Sequence, residues 1–276
     1  MSPSTSSDRE GQPSSYAGRL VFVAGGASGI GEGIAGAYAQ SGARLAIADV
    51  DFVAARSAAD RLREQGIEAI GLPLDVVDPT AWRDALDAAE ARLGPLALLC
   101  NSAGIVGAGK PLTDIPFARF ARLFDITVNG VLHGVQAAVP RMRAGGGHVV
   151  TVASMASLTA IPTLGDYSTA KAALLGLTDA LAAELEGSGV GVSIVFPGFV
   201  RTRLRETTAA VLGEPSPQAL AAPAAPGMEP DQVGRIVRDA VAAGERYVFT
   251  HAERRGAVAA HFEAVLRGFD RLLPAT

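Results

Sequence analysis

The sequence predicts a doubly wound α/β fold, a parallel sheet with helices on both faces. Three observations predict it. Short apolar runs alternate with longer stretches in which polar residues recur at helical spacing. The first six runs are apolar almost throughout, as strands covered on both faces are. A glycine-rich loop joins the first run directly to the first helical stretch. Repeated βα alternation gives right-handed crossovers and one parallel sheet. Its ligand crevice is expected at the carboxyl ends of the strands, where the strand order reverses.

The 276 residues fit a single large α/β unit. Residues 1–15 are Ser/Pro-rich and nearly devoid of apolar side chains, so a flexible tail is expected there, with the domain over residues 16–276. Strands are expected at Leu20–Ala24, Arg44–Ala48, Glu68–Pro73, Leu96–Cys100, His148–Ala153, Gly191–Phe196 and Tyr247–Phe249. Helical patterns between them include Thr80–Arg92 and Asp166–Glu186. From Arg203 to Pro230 the Ala- and Pro-rich chain breaks the rhythm, and so long an irregular stretch is either a functional lid or disordered. A helix, the short strand Tyr247–Phe249 and a final helix from about Glu253 complete the chain.

A net charge of -4 without a Lys/Arg cluster gives no reason to expect nucleic-acid or anionic-membrane binding. The single cysteine, Cys100, excludes an intrachain disulfide, fits a reducing cytosol and follows an apolar run, so a buried core thiol is expected. No apolar run approaches the roughly 18 residues that span a bilayer, and the N-terminus lacks a signal-peptide layout. A soluble cytoplasmic protein is expected. No Cys/His or His/carboxylate group has ligand spacing, so no metal site is proposed, and His133, His148, His251 and His261 read as structural.

Candidate chemistry gathers at the expected strand ends. Gly25, Ser28, Gly29, Ile30 and Gly31 lie in a loop of the form G-x-x-x-G-x-G between the first strand and first helix. Such a loop turns tightly and brings backbone N–H groups to a pyrophosphate at the positive helix end. Asp49 ends the second strand, 18 positions past Gly31. A carboxylate there accepts both hydroxyls of an adenosine ribose and repels a 2′-phosphate, which favours NAD over NADP. Asp51 takes that part if the strand ends later. Asp75 and Val76 follow the third strand, and Asn101, Ser102, Ala103 and Gly104 follow the fourth, on the rim where an adenine edge and ribose are met.

The acid/base candidate is Tyr167. Ser154 stands thirteen positions before it and Lys171 four after it, so the phenol and ammonium share one helix face. A phenol titrates near 10, too high for a base at neutral pH, and a cation within about 4–6 Å lowers that value. Ser154, at the end of the fifth strand, can meet a substrate oxygen.

Together GGASGIG at 25–31, Asp49, Asp75, NSAG at 101–104, Asn129, Ser154, Tyr167-x-x-x-Lys171 and Pro197-Gly198-x-Val200-x-Thr202 resemble the short-chain dehydrogenase/reductase family across residues 19–202. The resemblance implies one Rossmann-type domain with a seven-stranded parallel sheet, assembled as a homotetramer or homodimer. It implies that Tyr167 is the general acid/base, that Ser154 bonds the substrate oxygen, and that Lys171 lowers the tyrosine pKa and binds the nicotinamide ribose. It further implies that Asn129 holds a water of the proton relay and that the backbone at Val200 and the Thr202 hydroxyl engage the carboxamide. By the same resemblance residues 203–230 are a substrate lid, and Leu204, Val211, Leu212, Leu220 and Met228, with Val106, Leu164 and Phe199, suggest an apolar pocket. Two positions depart from the family pattern: Ala24 replaces a threonine and Ser102 an asparagine, both small changes at the cofactor rim.

The function expected is NAD-dependent interconversion of a secondary alcohol and a ketone, with a bulky apolar small-molecule substrate. An NADP-dependent biosynthetic ketoreductase, a cofactor-binding sensor without turnover and a methyltransferase on a similar sheet are the alternatives. Asp49 argues against the first, and the full Asn129, Ser154, Tyr167 and Lys171 set argues against the other two.

Overall fold

The computed structural model describes residues 16–213 and 227–272. The expected tail at 1–15 and residues 214–226 of the expected lid, Leu220 among them, lie outside the described residues.

Seven strands form one parallel sheet in the order β3-β2-β1-β4-β5-β6-β7. They are β1 (Leu20–Ala24), β2 (Arg44–Asp49), β3 (Ala69–Pro73), β4 (Leu96–Asn101), β5 (Gly147–Val152), β6 (Val190–Phe196) and β7 (Tyr247–Phe249). The chain runs outward from β1 to β3 and then returns to the other side of β1, so the order reverses between β1 and β4. At the carboxyl end of this pair Ala24 stands opposite Asn101, and across β1 it stands opposite Ala48.

Pleating divides the core in two. In β1, Leu20, Phe22 and Ala24 point into one buried cluster and Val21 and Val23 into the other. The first cluster lies beneath α3 (Pro79–Leu93), α5 (Gly130–Met142) and α6 (Gly165–Glu184), and the second beneath α1 (Gly29–Ala39), α2 (Phe52–Glu64) and α8 (Pro230–Ala242). Fully buried Trp82 anchors the first cluster, tilted against Phe22 with ring centroids 6.0 Å apart, while its Nε1 donates to the Val76 carbonyl at 3.0 Å. On the other face α1 and α8 touch backbone to backbone. A Cβ on Gly234 would lie 2.0 Å from the Gly33 carbonyl oxygen, so only glycine permits that approach. Cys100 is a fully buried thiol, as its apolar surroundings predict, and burial pushes its pKa up to about 12.

Helix starts carry their signals in the sequence. Asp51 caps α2 by accepting from Ala54 N at 3.0 Å. Asp78 caps α3 ahead of Pro79, and Glu229 and Gln232 form a capping box at the start of α8. One element departs from expectation: the stretch read as irregular after β6 contains a helix, α7 (Leu204–Leu212). The segment before α5 is α4 (Phe117–Phe124) followed by a π-helical turn, Asp125–Asn129. The last helix, α9 (Arg255–Leu266), buries none of its residues.

Candidate active site

The crevice between β1 and β4 is walled by the glycine-rich loop on one side and by Ala103 and Gly104 on the other. Gly25 makes this possible in two ways. Its φ is +73°, and a Cβ there would lie 2.6 Å from the backbone of Ala103. Ser28 takes the N-cap position of α1 in extended conformation without a side-chain capping bond. Gly29 and Ile30 follow at the helix start, where unpaired N–H groups and the dipole favour an anion. Gly31 lies behind them, packed so that a Cβ would meet the Gly25 carbonyl oxygen at 2.1 Å.

Asp49 is the last residue of β2 and lines the crevice. Its Oδ2 accepts from Ala27 N at 3.3 Å and its Oδ1 from Asp51 N at 3.1 Å. Burial holds the carboxyl above its usual range, opposed by those backbone N–H groups. Asp51 is engaged as the cap of α2, so the strand end belongs to Asp49. Asp75 and Val76 border the same space, Asp75 accepting from Val77 N at 3.2 Å. Asn101, in contrast, is buried beneath it, with its Oδ1 turned towards Gly134 near Trp82.

At the other end of the crevice, β5 leads to Ser154, which caps a short 3-10 turn by accepting from Ala156 N at 3.1 Å. Tyr167 sits in the first turn of α6 and Lys171 one turn further on the same face. Lys171 Nζ donates to the Val152 carbonyl at 2.8 Å and lies 5.8 Å from the Tyr167 ring centroid. Burial pushes the Lys171 pKa down to about 8. The same desolvation holds Tyr167 above its ordinary value, and a hydrogen bond with Ser154 works against it.

The turn after β6 is fixed by backbone partners. The Pro197 carbonyl accepts from Met155 N at 2.9 Å, and Gly198 N donates to His251 Nδ1 at 3.0 Å. Val200 pairs with Met228, and Thr202 reaches the crevice beside Gly29. Of the expected apolar pocket, Leu204 and Val211 line the crevice, Leu212 packs on the core, Met228 joins the cluster under α8, and Phe199 is exposed.

The family model for short chain dehydrogenase matches residues 19–211. The chain belongs to the short-chain dehydrogenase family. It is 33% identical over 261 residues to a C alpha-dehydrogenase of Sphingobium sp., covering 90% of this chain and 85% of that one. It is 31% identical over 254 residues to the 1-deoxy-11-beta-hydroxypentalenate dehydrogenase of Streptomyces avermitilis, covering 91% of each. Among solved structures, a short chain dehydrogenase/reductase from Burkholderia phymatum in complex with NAD superposes with a TM-score of 0.83 at 30% identity, over 92% of this chain and 96% of that one.

The chain is thus an oxidoreductase of this family, whose Rossmann-type fold binds a nicotinamide cofactor. The crevice fits such a group on its own geometry: a backbone cradle that a Cβ would fill, a helix start for the phosphates, a carboxylate at one end and an amine at the other. Asn129 stands apart from this set. Its Nδ2 donates to Asp125 Oδ1 at 2.7 Å, and it is not among the residues lining the crevice.

Three side chains absent from the sequence reading belong to the site. Arg122 of α4 lines the crevice. Buried Asp166 accepts from Tyr167 N at 2.8 Å and from Ala108 N at 2.9 Å, tying the start of α6 to the loop after β4. Thr208 of α7 accepts from Val106 N at 2.9 Å in the same loop. Long-range bonds of this kind, across 58 and 102 positions, leave no local signal in a sequence.

Proposed function

We propose that this short-chain dehydrogenase interconverts a secondary alcohol and its ketone with NAD, in the cytoplasm, as a homodimer or homotetramer. The observation that carries the reading is the meeting of Ser154, Tyr167 and Lys171 at one end of a crevice whose other end holds Asp49. When bound, a nicotinamide ring supplies the hydride acceptor or donor.

Tyr167 takes the hydroxyl proton in oxidation and returns it in reduction. Its buried phenol is protonated at neutral pH, which suits donation to a ketone oxygen. A charged Lys171 on the same face favours the phenolate, and with a pKa near 8 its charge changes close to the working range. The Ser154 hydroxyl meets the substrate oxygen as charge develops on it. Pro197, Gly198, Val200 and Thr202 would border the carboxamide. Gly25, Ser28, Gly29, Ile30 and Gly31 would hold the pyrophosphate, and Asp75, Val76, Ala103 and Gly104 the adenine side.

Asp49 supports NAD, because its carboxylate suits ribose hydroxyls and repels a 2′-phosphate, and a similar fold carries NAD in the Burkholderia phymatum structure. Leu204, Val211, Ile105 and Ile126 give the crevice an apolar wall, which supports a bulky apolar substrate. Both relatives above are named as dehydrogenases.

Initial rates with NAD and NADP against a panel of cyclic and aromatic secondary alcohols test the reading. The expected result is kcat/KM at least about tenfold higher with NAD, the equivalent of about 1.4 kcal/mol of charge repulsion. Preference for NADP, or no reduction of either cofactor, contradicts it.

A further inference from the structure

Strands β6 and β7 pair in register as far as Phe196 and Phe249, whose rings stack with centroids 5.1 Å apart. Two residues further along each strand stand Gly198 and His251. Backbone pairing stops there, because the chain turns away after β7. The His251 carbonyl accepts from Arg254 N at 3.2 Å, at the start of a 3-10 turn. The His251 side chain takes its place in the ladder. Its Nδ1 accepts the Gly198 N–H at 3.0 Å, where a strand carbonyl would otherwise stand. The ring lies directly on the turn after β6, since a Cβ at residue 198 would lie 2.6 Å from His251 Cγ.

A backbone N–H can only donate, so Nδ1 is bare and the ring proton sits on Nε2. The hydroxyl of buried Thr250 lies 2.6 Å from the same Nδ1 and donates to it as well. Two donors on one acceptor fix the plane of the ring. The turn is fastened elsewhere by backbone alone: the Pro197 carbonyl accepts from Met155 N, and Arg201 N donates to the Met228 carbonyl. The bond at Gly198 differs from these, because it depends on which side chain residue 251 carries.

We propose that His251 positions the nicotinamide end of the cofactor, by fixing through Gly198 the turn that borders the carboxamide. It acts through that turn and is a positioning residue. The role rests on the NAD-dependent reading above, and it is specific to one end of the crevice. Asp49 and the glycine-rich loop, at the other end, make no bond to His251 among the described residues. Hydride transfer depends on the placement of the nicotinamide ring, so a fastening at this end bears on catalysis.

Two variants test it. His251→Leu removes the acceptor, and His251→Asn keeps one, because an asparagine Oδ1 occupies the place of a histidine Nδ1. The first readout is equilibrium binding of NADH, by nicotinamide fluorescence, and of ADP-ribose, which lacks the nicotinamide, by calorimetry. His251→Leu should bind NADH about tenfold more weakly, the scale of one hydrogen bond, with ADP-ribose changed less than about twofold. His251→Asn should bind NADH within about threefold of wild type. The second readout needs no cofactor: NMR of ¹⁵N-labelled histidine should show His251 with a bare Nδ1 and a protonated Nε2. Equal weakening of NADH and ADP-ribose, no weakening of either, failure of asparagine to rescue, or the opposite tautomer overturns the proposal. Wild-type protein that binds neither NADH nor NADPH overturns the cofactor reading itself, and this role with it. Should His251→Leu fail to fold, His251→Phe, which keeps a ring without an acceptor, decides by the same pair of ligands.

Discussion

His148 shows how one buried side chain ties stability to pH. Its Nε2 lies 2.8 Å from Ser193 Oγ, and that hydroxyl donates to the Glu245 carbonyl at 2.6 Å. The serine proton is thus committed, so Nε2 carries the imidazole proton and the unpaired Nδ1 is bare. Protonation would add an N–H at Nδ1 that has no acceptor, and burial pushes the pKa down to about 4. The unfolded chain holds a proton on this residue below about pH 6.5 while the folded one refuses it, so stability falls as pH drops from 6.5 towards 4. The loss is on the order of 3 kcal/mol when complete. Urea unfolding at pH 7 and pH 4.5 should show this drop, reduced in His148→Asn. An equal drop in both proteins would remove His148 as its cause. Other single residues differ in what their neighbours in sequence reveal. Tyr167 and Lys171 share a face at a spacing of four, and Asp49 stands at the end of an apolar run, so both were legible. Asn129 came only with the resemblance, because the π turn in which it lies breaks the helical phase that side-chain spacing assumes.

At the scale of elements, the strands were legible as apolar runs and differ from expectation by a residue at their ends. The one shift with a consequence extends β2 to Asp49. Helix α7 was hidden by the Ala- and Pro-rich composition around it, yet its Thr208 bonds the loop after β4, so this helix is pinned beside the crevice at that point. The C-terminal elements carry a prediction. β7 closes one edge of the sheet with Tyr247 and Phe249 exposed on either side of buried Val248. Beyond it Phe262, Val265 and Leu266 of α9, and Phe269 and Leu272 of the 3-10 turn that follows, are exposed, an apolar surface suited to packing on another. These elements support the homodimer or homotetramer proposed above. Sedimentation velocity at micromolar concentration should give a dimer or larger species, and Phe262→Glu should shift it towards monomer. A wild-type monomer throughout would contradict that assembly.

For the whole molecule, the βα alternation predicted a crevice where strand order reverses, and the chain's return from β3 to β4 beside β1 creates it. Residues from the ends of β1 to β6 meet there because the sheet is parallel, so every carboxyl end opens on the same side. What the sequence could not reveal were contacts made only by folding: Asp166 holding Ala108 N, His251 holding Gly198, and Arg122 reaching the crevice from α4. The central claim is that Tyr167 moves the proton at this site. The most direct measurement compares Tyr167→Phe with wild type, by NADH titration and by turnover on the best alcohol found. The account predicts NADH affinity within about twofold of wild type and turnover lower by at least about a thousandfold. Turnover near the wild-type rate, with the phenol oxygen gone, would contradict it.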